Sequence, residues 1–567
     1  MEAIMRTETP LRSRPGALRG RRALAALLLA GLLPLAGTPV QGDPVQLAPT
    51  HLDDLESPNL EVAEDGIQLT LDQAVEIALQ RNLGLVIERY NWIQAREGVL
   101  ESLGMYDTLF SAGYEQRDVT QPTIEVVEGV PVTQQTSEGF SLTLSQLVPT
   151  GGVAELTTSA SDQESNSQNV FFNPLFNADA SLTFTQPLLR GFGRTATERS
   201  LMVARVGASQ SVEFLEQRIS ETVLAVEQAY WDLVGARNQL TVAEEALRLA
   251  EVLHEQNQVR VEVGTLAPLE LIQSEAGIAS REEEIILAEA AIEDAADQLR
   301  QLLNLERGEL WNTPIIPATD PETEPIEIDV EEAISTALNE RPELAAQLYR
   351  LDSLEIEERF FRNLARPQLD FVANYGLSGL TGDSEGDPDA GIDPTTGSFS
   401  DSFDQVTARD FDRWSVQLRL SYPLQNREGR AQATRAQLAL EQGLAELDQL
   451  EQEISTEVRA AARQVETASK QIESAQISRR LEERNLEAER KRYENGMSSS
   501  FRVLQIQEDL TQARSREVNA IASYRRALAG FYRSVGMLLD QKGVEMDAPQ
   551  RDWNRYGGWA SLLPWHN

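Results

Sequence analysis

Two proline-free stretches constrain this chain more than any other feature. They run from about Thr195 to Glu262 and from about Glu428 to Glu494. In the first, Val226, Leu233, Leu240 and Leu247 recur every seven residues, as do Ala229, Ala236, Ala243 and Ala250. Gly264 and Pro268 end it, and a return pattern to Leu305 carries Leu271, Ile278, Ile285, Ile292 and Leu299. The second stretch repeats the scheme with Val458, Val465 and Ile472 beside Ala461, Ala468 and Ala475. Gly496 interrupts it, and Ile506, Ala513, Ala520 and Ala527 mark the return to about Leu539. A seven-residue apolar repeat makes paired helices supercoil left-handedly, and alanine on the seam lets their backbones approach closely. The spacing therefore predicts two antiparallel helical hairpins with tips at Gly264 and Gly496. At 1.5 Å per residue the long arms span about 100 Å, so the expected shape is a rod.

A shorter helical pattern precedes each hairpin. Leu69-Thr-Leu-Asp-Gln-Ala74-Val-Glu-Ile-Ala78-Leu79 opens one that runs to about Gly104. Ile328-Asp-Val-Glu-Glu-Ala333-Ile-Ser-Thr-Ala337-Leu338 echoes it, and Leu85 and Tyr90 recur as Leu344 and Tyr349. The chain reads as an internal duplication, residues 67–305 and 328–540, joined by a linker over 306–327 that holds Pro314, Pro317, Pro321 and Pro325. Laid end to end, the short helix and the return helix match one long arm in length.

Between short and long helix, each unit carries strand patterns. They fall at Thr108–Gln116, Phe140–Leu147, Val153–Ser161 and Ser181–Gln186, then at Gln368–Tyr375 and Ser415–Tyr422. Phe140, Leu142 and Leu144 alternate with Ser141, Thr143 and Ser145; Val416, Leu418 and Leu420 alternate with Gln417, Arg419 and Ser421. Such two-faced strands with aromatic ends suit a barrel in lipid. Four to six strands cannot close one, and open edges are not tolerated in hydrocarbon. Copies must then associate. Three copies of four strands give a twelve-stranded barrel, with the hairpin 140–161 in an enlarged outer loop, and this is the expected form; three copies of six give eighteen.

Composition agrees with an envelope protein. Among 567 residues, 90 acids against 50 bases leave a net charge of −40, which argues against a nucleic-acid partner. Arg12, Arg14, Arg19, Arg21 and Arg22 precede an apolar run, Ala23 to Ala36, and Val40-Gln41-Gly42 offers a cleavage site, so residues 1–42 read as a secretory signal. Residues 43–66 read as a flexible lead-in. There is no cysteine, hence no disulfide or thiolate site. Residues 541–567 hold Trp553, Trp559 and Trp565 in no recognisable pattern.

With these features together, the sequence resembles the TolC family of outer-membrane efflux channels. The likeness rests on the duplication, on LTLDQAVEIAL at 69–79, on LTFTQPLLRGFG at 182–193, and on the tips RVEVGTLAPLELIQSE at 260–275 and RYENGMSSSFRVLQIQ at 492–507. It implies a homotrimeric outer-membrane barrel continued by a periplasmic helical tunnel, fed by an inner-membrane pump through a periplasmic adaptor. It implies adaptor contact at Arg260, Gly264, Thr265, Leu266, Arg492, Tyr493, Gly496 and Met497. It places Glu270, Glu275, Arg502 and Gln505 at the periplasmic aperture. Arg502 and Gln505 stand where family members often carry acids, and a Glu270–Arg502 ion pair between neighbouring hairpins is expected as a closed-state latch.

Other motifs are weaker. Gly191-Phe-Gly193-Arg-Thr-Ala196 follows a strand as a dinucleotide loop does, but no short βαβ unit surrounds it. Asp383, Glu385, Asp387, Asp389 and Asp393 lack the closing Glu of a calcium loop. His51, His254 and His566 are scattered, and His254 falls on the heptad seam. No catalytic set, metal site, cofactor motif or nucleotide loop is expected. The reading is a passive export duct. A structural coiled-coil spacer of the envelope is the alternative; it would not need two blocks of amphipathic strands.

Overall fold

A capping box opens the helix that begins at Leu71. Thr70 Oγ1 accepts from the Gln73 N–H at 3.3 Å, and Gln73 Oε1 accepts from the Thr70 N–H at 3.0 Å. The computed structural model describes residues 62–63, 66–122, 130–167, 170–305, 308–384, 386 and 393–544. The signal (1–42), most of the lead-in (43–66), Glu385, Asp387 and Asp389, and the tryptophan-bearing tail beyond 544 lie outside the described residues. So do His51 and His566.

In chain order the elements are β1 (Val62–Ala63), β2 (Gly66–Leu69), α1 (Leu71–Arg81), α2 (Leu83–Leu103), β3 (Leu109–Pro122), β4 (Val132–Leu147), β5 (Val153–Ser165) and β6 (Leu175–Pro187). Then come α3 (Arg194–Thr197), α4 (Arg199–Glu262), α5 (Pro268–Leu303), α6 (Glu309–Asn312), β7 (Ile315–Pro317), α7 (Val330–Glu340) and α8 (Pro342–Leu364). The chain continues through β8 (Gln368–Gly382), α9 (Phe399–Ala408), β9 (Phe411–Ser421), α10 (Arg427–Glu494), α11 (Ser500–Val535) and α12 (Leu538–Gln541).

The long arms are α4, 64 residues, and α10, 68 residues. Their return helices α5 and α11 are 36 residues each. The heptad seams supply much of the core: Val226, Leu233, Ala243, Ala250 and Leu299 in one hairpin, and Val458, Val465, Ile472, Ala513, Ala520 and Ala527 in the other, are buried, whereas Leu240, Leu247, Leu271, Ile278, Ile285 and Ile292 are half-buried. The two hairpins also pack on each other. Gln239 Nε2 donates to Ser515 Oγ at 2.7 Å and Arg526 pairs with Asp232 at 2.6 Å, joining α4 to α11. Nearer the sheet, α8 takes this place against α4, with Arg199 and Glu357 paired at 3.2 Å.

Each short helix is broken where one continuous helix was expected. Asn82 leaves the helical region with ψ 122° and caps α2 by accepting from Gly84 and Leu85 N–H. In the second half, Arg341 leaves it with ψ 124° and Pro342 starts α8 at its first turn, where proline's missing N–H is harmless. Arg341 is 6% exposed and pairs with Glu343 and Glu457, which Arg533 also clamps at 3.0 and 2.7 Å. The linker 306–327 is only partly extended: it contains α6 and β7, and β7 pairs in parallel with β2. Tyr230 secures this small sheet to α4, donating to Leu69 O and accepting from Thr319 N–H, both at 3.0 Å.

The large sheet has six antiparallel strands in the order β3-β4-β5-β6-β8-β9. Within the single chain this differs from the expected four strands with the hairpin 140–161 in an outer loop. That hairpin belongs to β4 and β5, which pair from Leu147–Val153 to Gln135–Ser165 and lie between β3 and β6. Every strand alternates, so the pairing register aligns one apolar face across all six. On it lie Tyr114, Phe140, Leu142, Leu156, Leu182, Phe184, Phe371, Tyr375, Trp414 and Leu418. The other face holds Ser141, Thr143, Thr157, Ser159, Ser181, Thr183, Asn374, Ser415 and Gln417. The segment between β8 and β9 carries α9, which folds against β8 and β6 with Phe399 and Phe176 rings 4.8 Å apart. Among the described residues, no helix is long and apolar enough to cross a membrane.

Candidate functional site: the hairpin tips and the two-faced wall

Both tips are built by the same turn. Gly264 has φ +77° and Gly496 φ +72°, the left-handed region that glycine enters freely. Thr265 N–H bonds Arg260 O at 2.9 Å and Met497 N–H bonds Arg492 O at 2.8 Å, the six-to-one closure of a Schellman motif. Thr265 adds its hydroxyl to Arg260 O at 3.0 Å. Beyond the turns, Pro268 starts α5 and the Ser499 side chain caps α11 through the Arg502 N–H. The backbone geometry thus presents Val263, Leu269, Met497 and Phe501 as exposed apolar side chains at the hairpin tips, with Leu266 half-buried.

Just behind the turns, the first hairpin grips the second. Arg260 donates to Tyr493 O at 3.0 Å and lies over the Tyr493 ring, 4.4 Å from its centroid. The Tyr493 hydroxyl donates to Asn257 Oδ1, and both residues are fully or almost fully buried. Burial pushes the Tyr493 phenol above its usual range, with Arg260 opposing that shift. Ser500 Oγ donates to Glu270, tying α11 to α5. On the second hairpin, buried Glu489 takes Arg492 at 3.1 Å and the Ser498 hydroxyl. On the first, His254 Nδ1 and Ser274 Oγ are 2.9 Å apart. Further from the tip, Arg281 pairs with Glu284 at 2.7 Å and with Glu508 across the hairpins.

Of the twelve residues singled out from the sequence, the two glycines, Arg260, Thr265, Arg492, Tyr493 and Met497 come together in the turns and the joint. Within the chain, Glu270 and Arg502 do not pair. Glu270 takes Ser500, while exposed Arg502 donates to exposed Gln505 at 2.7 Å. Glu275 is exposed. Sequence reasoning missed Asn257, Glu489 and Ser500. A signal existed for the first two. The series Ala243, Ala250 continues to Asn257, and Ala468, Ala475 continues through position 482 to Glu489, so the alanine seam turns polar at each tip.

At the opposite end, the wall has a dry face and a wet face, and its outer edges are bare. Every residue of β9 is exposed and nearly every residue of β3. A sequence model of the outer membrane efflux protein family matches residues 147–305 and 333–537, well over half of the chain. The chain belongs to that family. A curated relative, the pyoverdine export outer membrane protein OpmQ of Pseudomonas putida, is 24% identical over 436 residues, covering 75% of this chain and 81% of its own. Among solved structures, the outer-membrane channel OprN superposes with a TM-score of 0.60 at 16% identity, covering 82% of this chain and 89% of that one. The open state of the Neisseria gonorrhoeae MtrE channel gives 0.57 at 16% identity, covering 85% and 97%. The TolC-type resemblance read from the sequence is thereby borne out, and the protein is an efflux-family protein of the outer membrane.

Proposed function

We propose that this efflux-family protein is a passive duct. It is a homotrimer of duplicated chains whose sheets close into one barrel through the outer membrane. Its helices form a periplasmic tunnel that receives cargo from an inner-membrane pump through an adaptor. The observation that carries this reading is the sheet itself: apolar on one face, hydroxyl-lined on the other, unpaired at both edges and continuous with four helices. Unpaired edges are intolerable in lipid, so β9 of one copy pairs with β3 of the next.

Six strands per copy favour eighteen in the closed barrel. Following paired residues from Leu109 leads to Ser145, Glu155, Thr183, Asn374 and Ser415, yet β9 continues to Ser421, so the helix-side edge slips by about one residue per strand. That slip, ~3.3 Å along for ~4.8 Å across, is a tilt of about 35°. Six strands so tilted span an arc of about 35 Å, and four helices spaced ~9 Å apart span the same, whereas four strands would fall short at about 23 Å. Wall and tunnel then join without a step.

At the other end, Arg260, Gly264, Thr265, Leu266, Arg492, Tyr493, Gly496 and Met497 meet the adaptor. Glu270, Glu275, Arg502 and Gln505 border the aperture. Because Glu270 and Arg502 find other partners within one chain, the latch between them is one between neighbouring copies. Single-channel recording of the mature protein in planar bilayers is the test. A steady conductance from a heat-modifiable trimer is expected, rising when Glu270 or Arg502 is reversed in charge. A monomer indifferent to lipid would sink the reading, and unchanged conductance in both reversals would sink the latch.

A further inference from the structure

The joint between sheet and helices has an unusual charge pattern for so acidic a chain. Four arginines set back from the sheet are each paired: Arg194 with Glu198 and Arg199 with Glu357, both at 3.2 Å, Arg359 with Glu355, and Arg362 with Glu358. Four others at the sheet edge, Arg190, Arg366, Arg427 and Arg430, are exposed and have no acidic partner among the described residues. Arg190 and Arg427 face a common cleft of about 460 Å³, lined also by Leu364, Pro423, Asn426 and Glu428. The dry face of the wall begins at this cleft. Tyr422, next on that face after Leu420, accepts from Asn426 Nδ2 at 3.4 Å. Leu418 and Leu420 are 66% and 69% exposed, and Leu424, between the cleft-lining Pro423 and Gln425, is 85% exposed.

Free guanidinium groups beside a long exposed apolar surface match one kind of ligand: a phosphate carrying acyl chains. Arginine binds phosphate oxygens through a two-pronged fork, and alkyl chains lie along leucine and aromatic surface without desolvation cost. Glu428 weakens the site for a free anion but leaves an amphiphile held at both ends. We propose that the Arg190–Arg427 cleft holds the phosphate headgroup of a phospholipid of the periplasmic leaflet, with its acyl chains against the Leu418–Leu420 wall, fixing the depth at which barrel gives way to tunnel. This rests on the barrel reading above.

The test uses the full-length mature protein, extracted from membranes, delipidated in detergent and titrated with phosphatidylglycerol under native mass spectrometry. Retention of phosphatidylglycerol over the matching diacylglycerol is expected, with little competition from millimolar inorganic phosphate. Arg190→Gln with Arg427→Gln should weaken retention roughly tenfold, while Arg359→Gln, which removes a paired arginine, should not. Equal binding of diacylglycerol by the native protein overturns the proposal even if the double variant fails to fold. So does undiminished retention in a folded double variant, or equally tight capture of phosphate alone. Loss of oligomer in the double variant also overturns it, assigning these arginines to a neighbouring copy instead. If the native protein inserts in no membrane, it is the barrel reading that fails, not the lipid site alone.

Discussion

The two hairpin tips share a backbone and differ in chemistry. Gly264 and Gly496 make the same turn, and Asn257 and Glu489 hold the same place 7 residues before it. The second tip closes over an apolar cluster of Leu486, Tyr493, Val503, Ile506 and Leu510, which Leu253 of the first hairpin joins. The first lacks such a cluster of its own; its equivalents include His254 for Leu486 and Ser274 for Ile506, bonded to each other. It is held instead by what it reaches on its neighbour: Leu253 in that cluster, Asn257 and Arg260 on Tyr493, and Glu270 on Ser500. An apolar seam holds by area alone, whereas a polar joint holds only while every donor finds its acceptor. The second hairpin is therefore the stiff one, and the first is docked against it.

Removing Tyr493 breaks this contrast most directly. Tyr493→Ala empties the second tip's core, frees Asn257 and removes the ring beneath Arg260, whose bond to the position-493 carbonyl stays, with an expected loss of about 3–5 kcal/mol locally. Rapid proteolysis at both tips is the readout; cleavage confined to the first would show that the second does not depend on its own cluster. Tyr493→Phe keeps the cluster and orphans the buried Asn257 oxygen, costing about 1–3 kcal/mol. Here only the first hairpin should loosen, seen as faster amide exchange in 254–275 than in 486–507.

Valine at either glycine tests the shared part. Gly264→Val and Gly496→Val should each cost about 1–3 kcal/mol from strain at positive φ, and by similar amounts, because the turns are alike. A large difference in thermal stability between them would deny the equivalence. The ion pair across the hairpins gives a pH arm. Burial pushes Glu508 up, but its bonds to Arg281 and Gln512 outweigh that and hold it below the usual carboxylate range. A depressed folded-state value means the stabilisation is present above the ordinary value near 4.5 and is lost as pH falls below it. Acidification through that window should speed exchange in α5 near Arg281, and Arg281→Gln should abolish the dependence. The smallest effect is expected at Arg502→Ala. That side chain is exposed and, among the described residues, its guanidinium bonds Gln505, so the stability of the isolated chain should change by less than about 0.5 kcal/mol. Any effect on conductance would then report contacts between copies.

Much of this molecule was legible in residue spacing. Heptads at Val226 to Leu247 and Val458 to Ile472 determined the two long hairpins, because a period near 3.5 has one low-energy outcome. Gly264 and Gly496 marked the turns, because only glycine enters positive φ freely. Alternation at Phe140–Leu147 and Ser415–Ser421 gave the two-faced wall. What remained hidden depended on partners distant in sequence. The hairpin Val132–Ser165 reads equally well as loop or wall until β3 and β6 are seen to flank it, since alternation fixes which face is dry but not which strands are neighbours. The breaks at Asn82 and Arg341 follow from local capping, yet a continuous helix suits the same apolar pattern. The joint at Tyr493 joins residues more than 200 positions apart, and only the tertiary packing of α4 against α11 and α10 decides that Asn257 meets a phenol rather than water.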